Sequence, residues 1–433
     1  MSIVADLHMH SSFARACSKE LNFENNSTWA KFKGIDLLSS ADFTHPVWWE
    51  ETKKTLKEKG NGFYTFNNVD FVLGGEVSVI YSQGGKLRRV HLLLFAPDFE
   101  TVEKVNKELG KRGKLGSDGR PILGLTSQNI AQIMLEAHPD SLIIPAHAWT
   151  PWFGMYGANS GFDSLEECFG SYTKNILAIE TGLSSDPFMN WQVEELDHKS
   201  VVSFSDAHSL PKMGRELTMF KDWGNAGYKG LVHALKDQAI DYTLEFYPEE
   251  GKYHFTGHRN CSIKLTPEET ADQGDICSVC GKRLTGGVLY RVNQLAKRTE
   301  SDLKIVKEGI FKKSSSFPRP PYTNLVNLLE IISEALGRPT SSPKVKEEFF
   351  KLVKEVSHEL DLLTTIKLED IEKYTHPRVV EGISRVRSGD IIIDPGYDGV
   401  YGVVKIWPET VKKVRIDPPK VKKEDTSQLK LFN

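Results

Sequence analysis

Residues 3–10 read Ile-Val-Ala-Asp-Leu-His-Met-His, a short apolar run that ends in two histidines. The apolar run predicts a β-strand, and side chains in a strand alternate between its two faces. The imidazoles of His8 and His10 are therefore expected to project in the same direction, as two ligands of one metal must. An isolated His-x-His is more often a polar patch than a ligand set, so the rest of the chain must decide.

The composition is that of a globular protein that is too long for one core. The chain has 433 residues, of which 39% are hydrophobic and 26% are charged. Single cores stop growing at about 250–300 residues, so we expect one large domain with smaller attachments. No run approaches the roughly 18 apolar residues of a membrane span, and the N-terminus has no secretory pattern. The sequence favours a cytoplasmic protein without a membrane partner.

The charge is nearly balanced, but the basic residues are bunched. A net charge of −3 argues against a chain that coats nucleic acid without specificity. Each basic cluster is most simply a solvated face. Together the clusters permit an anionic polymer as substrate. They lie at residues 86–89, 111–114, 312–313 and 412–423.

Short apolar or β-branched runs alternate with longer amphipathic segments from residue 1 to about residue 235. This alternation predicts parallel strands with crossover helices, in an α/β barrel or an open sheet. Both folds place their chemistry at the carboxyl ends of the strands. The runs that predict further strands are 35–38, 71–73, 90–95, 142–145, 176–179 and 201–204.

Residue types that bind metals recur at those predicted strand ends. A mixture of imidazoles and carboxylates suits Zn²⁺, Mn²⁺ or Fe²⁺ better than Ca²⁺ or Mg²⁺, which prefer all-oxygen shells. A bridging carboxylate can hold two ions about 3.5–4 Å apart, an arrangement typical of phosphoryl hydrolysis. The alternative is a set of polar strand ends that only hydrogen-bond to loops. The candidate ligands are His8, His10, Asp42, Glu76, His91, His147, Asp206 and His208.

These motifs, in this order and spacing, resemble those of the PHP (polymerase and histidinol phosphatase) family. The resemblance implies a distorted seven-stranded β/α barrel over residues 1–235 that holds two or three divalent metals of the Zn, Mn, Fe or Mg type. It assigns the catalytic roles to Glu76, Asp206 and His208. The motifs that carry it are His8-Met-His10, Gly75-Glu76, His91, Pro145-Ala-His147 and Ser205-Asp-Ala-His208.

Carried over residue by residue, the resemblance gives two ligand sets that share one carboxylate. A third metal is less well supplied, because Ala14-Arg15 and Ala41-Asp42-Phe43 depart from the family pattern. It would be left with Asp42 and His208, and with His45 as an alternative. The first set is His8, His10, Glu76 and Asp206, and the second is Glu76, His91 and His147.

Aromatic side chains flank two of these candidate ligands. Trp48 and Trp49 follow Asp42, and residues 149–157 follow His147 with two tryptophans, a phenylalanine and a tyrosine. Packing in the core or in a loop is one interpretation. The other is a stacking surface for a base drawn out of a duplex. The sequence leaves both open.

Three of the five cysteines lie close together in residues 236–300, which we interpret as a zinc-binding module. Cys277 and Cys280 form a Cys-x-x-Cys pair followed by Gly281, and Cys261 precedes them. Three thiolates and one imidazole make a tetrahedral structural zinc site. His258 is the preferred fourth ligand because of its short spacing to Cys261, with His254 as the alternative. A redox pair is the rival interpretation.

The two remaining cysteines, Cys17 and Cys168, stand alone in the sequence. We expect both to be small buried side chains in a reducing compartment.

The C-terminal part is predicted in three pieces. Residues 301–390 read as a helical domain, with one helix capped by Thr323 and another that begins at Pro343 after Ser342. Residues 391–416 predict a β-hairpin. Residues 417–433 are polar and rich in Pro and Lys, and we expect them to be disordered.

The last residues resemble the bacterial sliding-clamp-binding pentapeptide. An extended Gln-Leu-x-Leu-Phe at a free terminus has no core to join, which favours docking in a pocket of another protein. The DNA sliding clamp is therefore a predicted partner. The residues that would bind it are Gln428, Leu429, Leu431 and Phe432.

The whole chain, and not only its barrel, resembles the endonuclease Q family. The PHP motifs, His-x-x-Cys with Cys-x-x-Cys, Arg319-Pro-Pro-Tyr and residues 395–402 occur together in that family. The resemblance implies a DNA repair endonuclease that cuts 5′ of hypoxanthine, uracil, xanthine and abasic sites and leaves 3′-hydroxyl and 5′-phosphate ends. Two alternatives stay open: a PHP-type phosphatase of small phosphate monoesters, and a metal-stabilised scaffold without catalysis.

Overall fold

Strands and helices alternate through the first part of the chain, as the hydrophobic pattern predicts. The computed structural model of the protein describes residues 2–408. The strands of this part are β1 (Ile3–Asp6), β2 (Leu37–Ser39), β3 (Lys57–Glu58), β4 (Tyr64–Phe66), β5 (Val69–Gln83), β6 (Lys86–Ala96), β7 (Ile122–Leu123), β8 (Leu142–Pro145), β9 (Ala178–Glu180), β10 (Ser200–Val202), β11 (Leu217–Phe220) and β12 (Ile240–Glu245). The longer helices are α1 (Phe23–Lys33), α2 (Pro46–Thr55), α3 (Phe99–Gly110), α4 (Ser127–Ala137), α5 (Leu165–Phe169), α6 (Pro187–Trp191) and α7 (Gly227–Lys236). The α/β prediction is confirmed.

A mixed sheet of 13 strands organises this part of the molecule. β1 pairs in parallel with β2 and antiparallel with β11, and β2 pairs in parallel with β5. β9 and β10 form a separate parallel pair. The prediction of parallel strands therefore holds for only some of the pairs.

The antiparallel pairing of β5 with β6 has a local cause. Only Gly84 and Gly85 join these two long strands, and a two-residue link is too short for a parallel crossover. Both glycines have a positive φ, of 62° and 72°. Positive φ at both central residues is what a tight hairpin turn of this kind requires.

The sheet continues past the predicted end of the barrel. Strand β17 pairs in parallel with β12, and β16 joins it to β15. Residues 305–324, predicted to lie in the helical domain, are thus strands of the large sheet. The elements between residues 256 and 324 are β13 (Thr256–His258), β14 (Ile263–Leu265), α8 (Pro267–Gln273), α9 (Val288–Leu295), α10 (Glu300–Leu303), β15 (Ile305–Glu308), β16 (Phe311–Ser314) and β17 (Tyr322–Asn324).

The helical region follows this extension of the sheet. The predicted cap at Thr323 is wrong, because Thr323 lies in β17 and the helix begins after Asn327. The prolines before β17 restrict the preceding backbone to extended conformations. The predicted start at Pro343, after Ser342, is confirmed. The helices are α11 (Leu328–Leu336), α12 (Pro343–Glu355), α13 (Glu359–Thr364), α14 (Leu368–Glu372) and α15 (Pro377–Ser388).

Two features complete the described chain. A buried ion pair of 2.6 Å between Lys33 and Glu359 joins α1 to α13. The predicted hairpin forms from β18 (Ile392–Asp394) and β19 (Val403–Lys405), which pair antiparallel.

None of the helices in residues 2–408 has both the length and the apolar character needed to cross a bilayer. The predicted tail and its residues Gln428, Leu429, Leu431 and Phe432 lie outside the described residues.

Candidate metal centre

Four of the predicted ligands converge just beyond the end of β1. His8 and His10 are buried, and their Nε2 atoms both face the carboxylates of Glu76 and Asp206. His8 Nε2 lies 3.5 Å from Glu76 Oε2 and 3.4 Å from Asp206 Oδ1. The corresponding distances from His10 Nε2 are 3.3 and 3.2 Å. One ligand atom of each of the four residues lies within 4.8 Å of the others, which is close enough to surround one ion.

A second group shares Glu76 with the first. His91 Nδ1 lies 2.7 Å from Glu76 Oε1, and His147 Nε2 lies 3.4 Å from the same oxygen. The two rings approach each other to 3.1 Å between His91 Nδ1 and His147 Nε2. Because Oε2 of Glu76 faces the first group and Oε1 faces the second, this carboxylate has the geometry of a bridge between two cations.

Unpaired atoms show that these side chains fit a cation. His8 Nε2, His10 Nε2 and Asp206 Oδ1 are buried and make no hydrogen bond within the described part of the chain. Leaving a buried polar atom without a partner costs about 1–3 kcal/mol, so native structures rarely do so. Several such atoms aimed at one point are explained by a shared ion, and the mixed N/O donor set suits a divalent transition metal.

Hydrogen bonds from behind fix the two histidines that follow β1. His8 Nδ1 donates to Glu180 at 2.9 Å, and His10 Nδ1 donates to Asp42 at 3.1 Å. Carboxylate oxygens accept hydrogen bonds, so Nδ1 is the nitrogen of each ring that carries a proton in these contacts. Nε2 is therefore the nitrogen of each ring that is left to bind a metal.

The backbone is strained at three predicted site residues. Asp42, His147 and Asp206 have positive φ values of 40°, 30° and 46°. Positive φ is uncommon for residues other than glycine and persists only where the surroundings enforce it. At Asp206 the enforcement is visible, because Asp6 accepts the Ser205 N–H at 2.9 Å and Arg215 donates to the Ser205 and Asp206 carbonyls.

The bridging carboxylate is held in its charged form. Burial alone would raise the pKa of Glu76, but His91, Arg120 and His8 outweigh it and keep the pKa well below its usual range. Arg120 Nη1 donates to Glu76 Oε2 at 3.1 Å. The pKa of Asp206 is also lowered, because His8 and its neighbours outweigh burial. Two anionic carboxylates in a buried cluster call for positive charge.

The pKa values of the histidine ligands shift in opposite directions because their surroundings differ. Burial lowers the pKa of His91 to about 4, which leaves a neutral ring with a free lone pair. Burial also opposes protonation of His8 and His10, but the surrounding carboxylates outweigh it and raise the pKa of both rings well above the ordinary value. Carboxylates that raise the affinity of a ring for a proton also raise its affinity for a metal cation.

Three predicted ligands do not join either group. Asp42 lies behind His10 and accepts from Ser11 N–H at 2.7 Å, so it supports a ligand and does not face the cluster. His208 stacks edge-on against His10 at 4.7 Å, and its Nδ1 bonds the Asp206 carbonyl. His45 caps α2. The geometry thus offers two sites and gives no support to a third.

The predicted zinc ligands also come together. His258, Cys261, Cys277 and Cys280 each place one ligand atom within 4.8 Å of the others. Gly281 has a φ of 70° and donates its N–H to the Cys277 carbonyl at 2.9 Å, which forms the tight knuckle that the Cys-x-x-Cys-Gly pattern predicts. The alternative ligand, His254, is buried outside this group.

The two isolated cysteines differ in burial. Cys168 is buried, whereas Cys17 is only partly buried.

Most of the flanking aromatics are packing residues. Trp48 is buried against Phe23 with ring centres 4.6 Å apart, and Trp149 is buried against Tyr156 at 4.7 Å. Trp152 differs, since 37% of it is exposed. Its ring lies 5.2 Å from that of Tyr253, so a barrel loop meets the start of the cysteine-containing segment there. The neighbouring Phe153 lies against His91 at 4.4 Å.

Two residues of the site were missed in the sequence. Glu180 directly follows the predicted strand 176–179, so the strand-end rule used for the other ligands could have found it. Arg120 lies in a loop without any pattern that marks it.

The basic residues Arg88 and Arg89 contact the loop after Trp152. Arg88 donates to the Gly161 carbonyl, and the Arg89 N–H donates to the Ser160 carbonyl.

Known proteins resemble both parts of the chain. The family model described as the MJ0043 C-terminal domain matches residues 327–390, the helical region. The uncharacterized protein MJ0043 of Methanocaldococcus jannaschii is 30% identical over 292 residues, which are 65% of this chain and 35% of that protein. The chain therefore spans only about a third of the length of this curated relative.

Solved structures match over almost the entire length. The lesion-specific endonuclease PfuEndoQ from Pyrococcus furiosus is 31% identical with a TM-score of 0.80, and the match covers 96% of this chain and 98% of that one. A second structure, endonuclease Q with a 27-mer duplex substrate that has an abasic lesion at the active site, is 32% identical with a TM-score of 0.80 over 96% and 99% of the two chains. The chain therefore belongs to the endonuclease Q family of DNA-cleaving enzymes.

Proposed function

We propose that this protein is a metal-dependent repair endonuclease that cuts DNA 5′ of hypoxanthine, uracil, xanthine and abasic sites. The cut would leave 3′-hydroxyl and 5′-phosphate ends. The observation that carries the proposal is the pair of buried ligand groups that share Glu76 and present unpaired lone pairs to a common space. The duplex with an abasic lesion bound to a similar structure supports the substrate.

We assign the ligands within a distorted seven-stranded barrel of the PHP type. His8, His10, Glu76 and Asp206 would hold one divalent ion, and Glu76, His91 and His147 a second. When bound, such ions polarise the phosphodiester, supply a nucleophilic water at neutral pH and stabilise the leaving oxygen. We assign no ion to Asp42 and His208, because Asp42 supports His10 from behind and His208 packs against the same ring.

The side chains around the centre would hold and orient the substrate phosphate. Glu76 and Asp206 contribute two negative charges, so a centre with two divalent cations and Arg120 is net positive and attracts an anionic phosphodiester. A quarter of the Arg120 side chain is exposed, beside Glu76. Its guanidinium carries five donors and uses one of them on Glu76, so others are free for phosphate oxygens.

The exposed Trp152, beside the partly buried Tyr253, is the part of the aromatic set that could stack on a base. Any base can stack on an aromatic ring. This suits an enzyme whose substrates contain different damaged bases and have no sequence in common. We assign the group of His258, Cys261, Cys277 and Cys280 to a structural zinc ion. The zinc module would thereby place Tyr253 beside the barrel loop.

Gln428, Leu429, Leu431 and Phe432 are proposed to bind the DNA sliding clamp. A tether to the clamp would raise the local concentration of the enzyme on cytoplasmic DNA. Deleting residues 428–432 should abolish capture of the clamp in a pull-down and leave nicking of short oligonucleotides unchanged. Capture that persists would assign the contact to another surface.

The test uses purified protein and end-labelled duplexes with Mn²⁺. Duplexes with one hypoxanthine, uracil, xanthine or abasic site should be nicked 5′ of the lesion, and an undamaged duplex should not. Product mobility before and after phosphatase treatment would identify the ends. Turnover of p-nitrophenyl phosphate without nicking would favour the small-molecule phosphatase. Inactivity on both substrates with bound metal would favour the scaffold.

A further inference from the structure

Glu180 lies between the two ligand groups and is bonded to both. It is the last residue of β9 and is fully buried. His8 Nδ1 lies 2.9 Å from its Oε1 and 3.0 Å from its Oε2. The backbone N–H of His147 donates to Oε2 at 2.7 Å. One carboxylate thus touches a member of the first group by its ring and a member of the second by its backbone.

We infer that Glu180 is a positioning residue that couples the two proposed metal subsites, since it orients the His8 imidazole for one ion and fixes the backbone of His147 for the other. The inference rests on the proposed metal centre. It adds a residue that touches neither ion nor substrate, yet sets the affinity of both subsites.

The contact to His8 acts through the tautomer of the ring. Glu180 accepts the Nδ1–H of His8, so Nε2 is the nitrogen that faces Glu76 and Asp206. Carboxylate partners of this kind also make the ring a stronger donor to a metal, and their loss typically costs about 10- to 100-fold in metal affinity.

The contact to His147 acts through the backbone. His147 has a φ of 30°, a conformation that the surrounding structure must enforce. The 2.7 Å bond to Glu180 is short, as expected for an N–H donor to a charged acceptor. In this conformation Nε2 of its ring lies 3.4 Å from Glu76 Oε1.

Asp42 offers a matched comparison. It too is a buried carboxylate that accepts from a histidine Nδ1, but its ring partner is His10, which belongs to the first group alone. Glu245 offers a control of the fold. It is buried at the end of β12 and bonds Ser203, Thr243 and Thr181, none of which is a proposed ligand.

The experiment removes metal from the two histidine–carboxylate groups of the full-length protein, retains zinc at the cysteine group, and titrates with Co²⁺, followed by visible absorption and calorimetry. Glu180→Gln removes the negative charge that both contacts share and replaces one acceptor oxygen with an NH₂ group, so we expect the affinity of both subsites to fall by about 10- to 100-fold. Asp42→Asn should weaken only one subsite, and Glu245→Gln should leave both unchanged. Nicking by E180Q should recover as the metal concentration is raised, which a general loss of structure would not allow.

Each outcome has a distinct meaning. If the native protein binds two ions and E180Q binds both with native affinity, or loses only one, the coupling role is overturned while the metal centre stands. If the native protein binds no ion at these groups, the proposed centre itself fails. Should E180Q not fold, ¹⁵N NMR of the histidines in the native metal-loaded protein replaces it. A proton on Nε2 of His8 would overturn the inference, and one on Nδ1 would support it.

Discussion

The two metal-binding groups of this chain are built in opposite ways. The histidine–carboxylate group gathers side chains from residues 8 to 206, all with little exposure, and each histidine after β1 is held from behind by a carboxylate. The cysteine group draws on residues 258 to 280, includes the exposed Cys280, and belongs to small local elements. The large sheet positions the ligands of the first site without a metal. At the second site, metal binding would stabilise the fold of the surrounding segment.

This difference separates chemistry from stability. Substitution of a ligand in the histidine–carboxylate group should remove activity with little change in the free energy of unfolding, because the sheet supports the site without the ion. A ligand lost from the cysteine group should unfold its surroundings with little change in chemistry. Each half of the contrast can be tested with one substitution.

The largest effect is expected for Glu76→Gln. The amide removes the charge that bridges both groups, so nicking of an abasic duplex at saturating Mn²⁺ should fall by about 1,000-fold, roughly 4 kcal/mol in activation free energy. The melting temperature of the metal-free protein should fall by only a few degrees, because Arg120 and His10 lose one carboxylate partner while the sheet stays intact. Gel-based nicking rates and calorimetry measure the two quantities. A large loss of stability with little loss of rate would break the contrast.

The next effect is expected for Cys277→Ser. The variant should lose one zinc per chain by elemental analysis, and amide exchange over residues 256–285 should accelerate by at least about 100-fold, because the ion stabilises this segment. Turnover at saturating DNA should stay within about threefold of native. Cys168→Ser, at a buried cysteine far from the group, is the control for zinc content. Native exchange in C277S would show that the segment folds without its metal.

The same contrast explains what the sequence could predict. His8 and His10 were found because strand alternation forces them to one side, and the cysteine group was found because its spacing is local. Asp42 lies behind His10, because a residue after a strand can face the cluster or stand behind a ligand, and the sequence pattern does not distinguish the two. Local capping patterns predicted that Thr323 begins a helix. It lies in a strand instead, because pairing with β12 overrides those local patterns.

Glu180 shows a different limit of sequence reasoning. It stands at a strand end like the other candidates, but its importance lies in contacts with His8 and with the His147 backbone, residues far away in the chain. No spacing rule relates positions 8, 147 and 180. Contacts of this kind follow only from the three-dimensional arrangement of the strands.

A moderate effect is expected at the place where the two regions meet. Trp152→Ala removes an exposed ring beside Tyr253, and base–aromatic stacking contributes about 1–3 kcal/mol, so affinity for a lesion duplex should fall by about 10-fold or more. Tyr374, with a similar exposure of 38%, provides the matched control in Tyr374→Ala. Fluorescence anisotropy at one salt concentration measures both. Equal losses in the two variants would argue for general surface effects.

The smallest effect is expected for Glu245→Gln, which probes the sheet beneath the barrel site. Burial raises the pKa of Glu245 to about 8, and the nearby carboxylates of Asp186 and Glu216 favour the neutral form further. A carboxyl with a raised pKa in the folded state stabilises fully only below its unfolded pKa, and that stability is lost as the pH rises toward 8.

The glutamine stays neutral, so E245Q should melt a few degrees above the native protein at pH 8 and close to it at pH 4.5. Native stability that does not decline over this window relative to E245Q would mean that Glu245 titrates normally. Ionisation of a buried carboxylate in the sheet would then cost little folding free energy, and the sheet would not differ from the cysteine region in this respect.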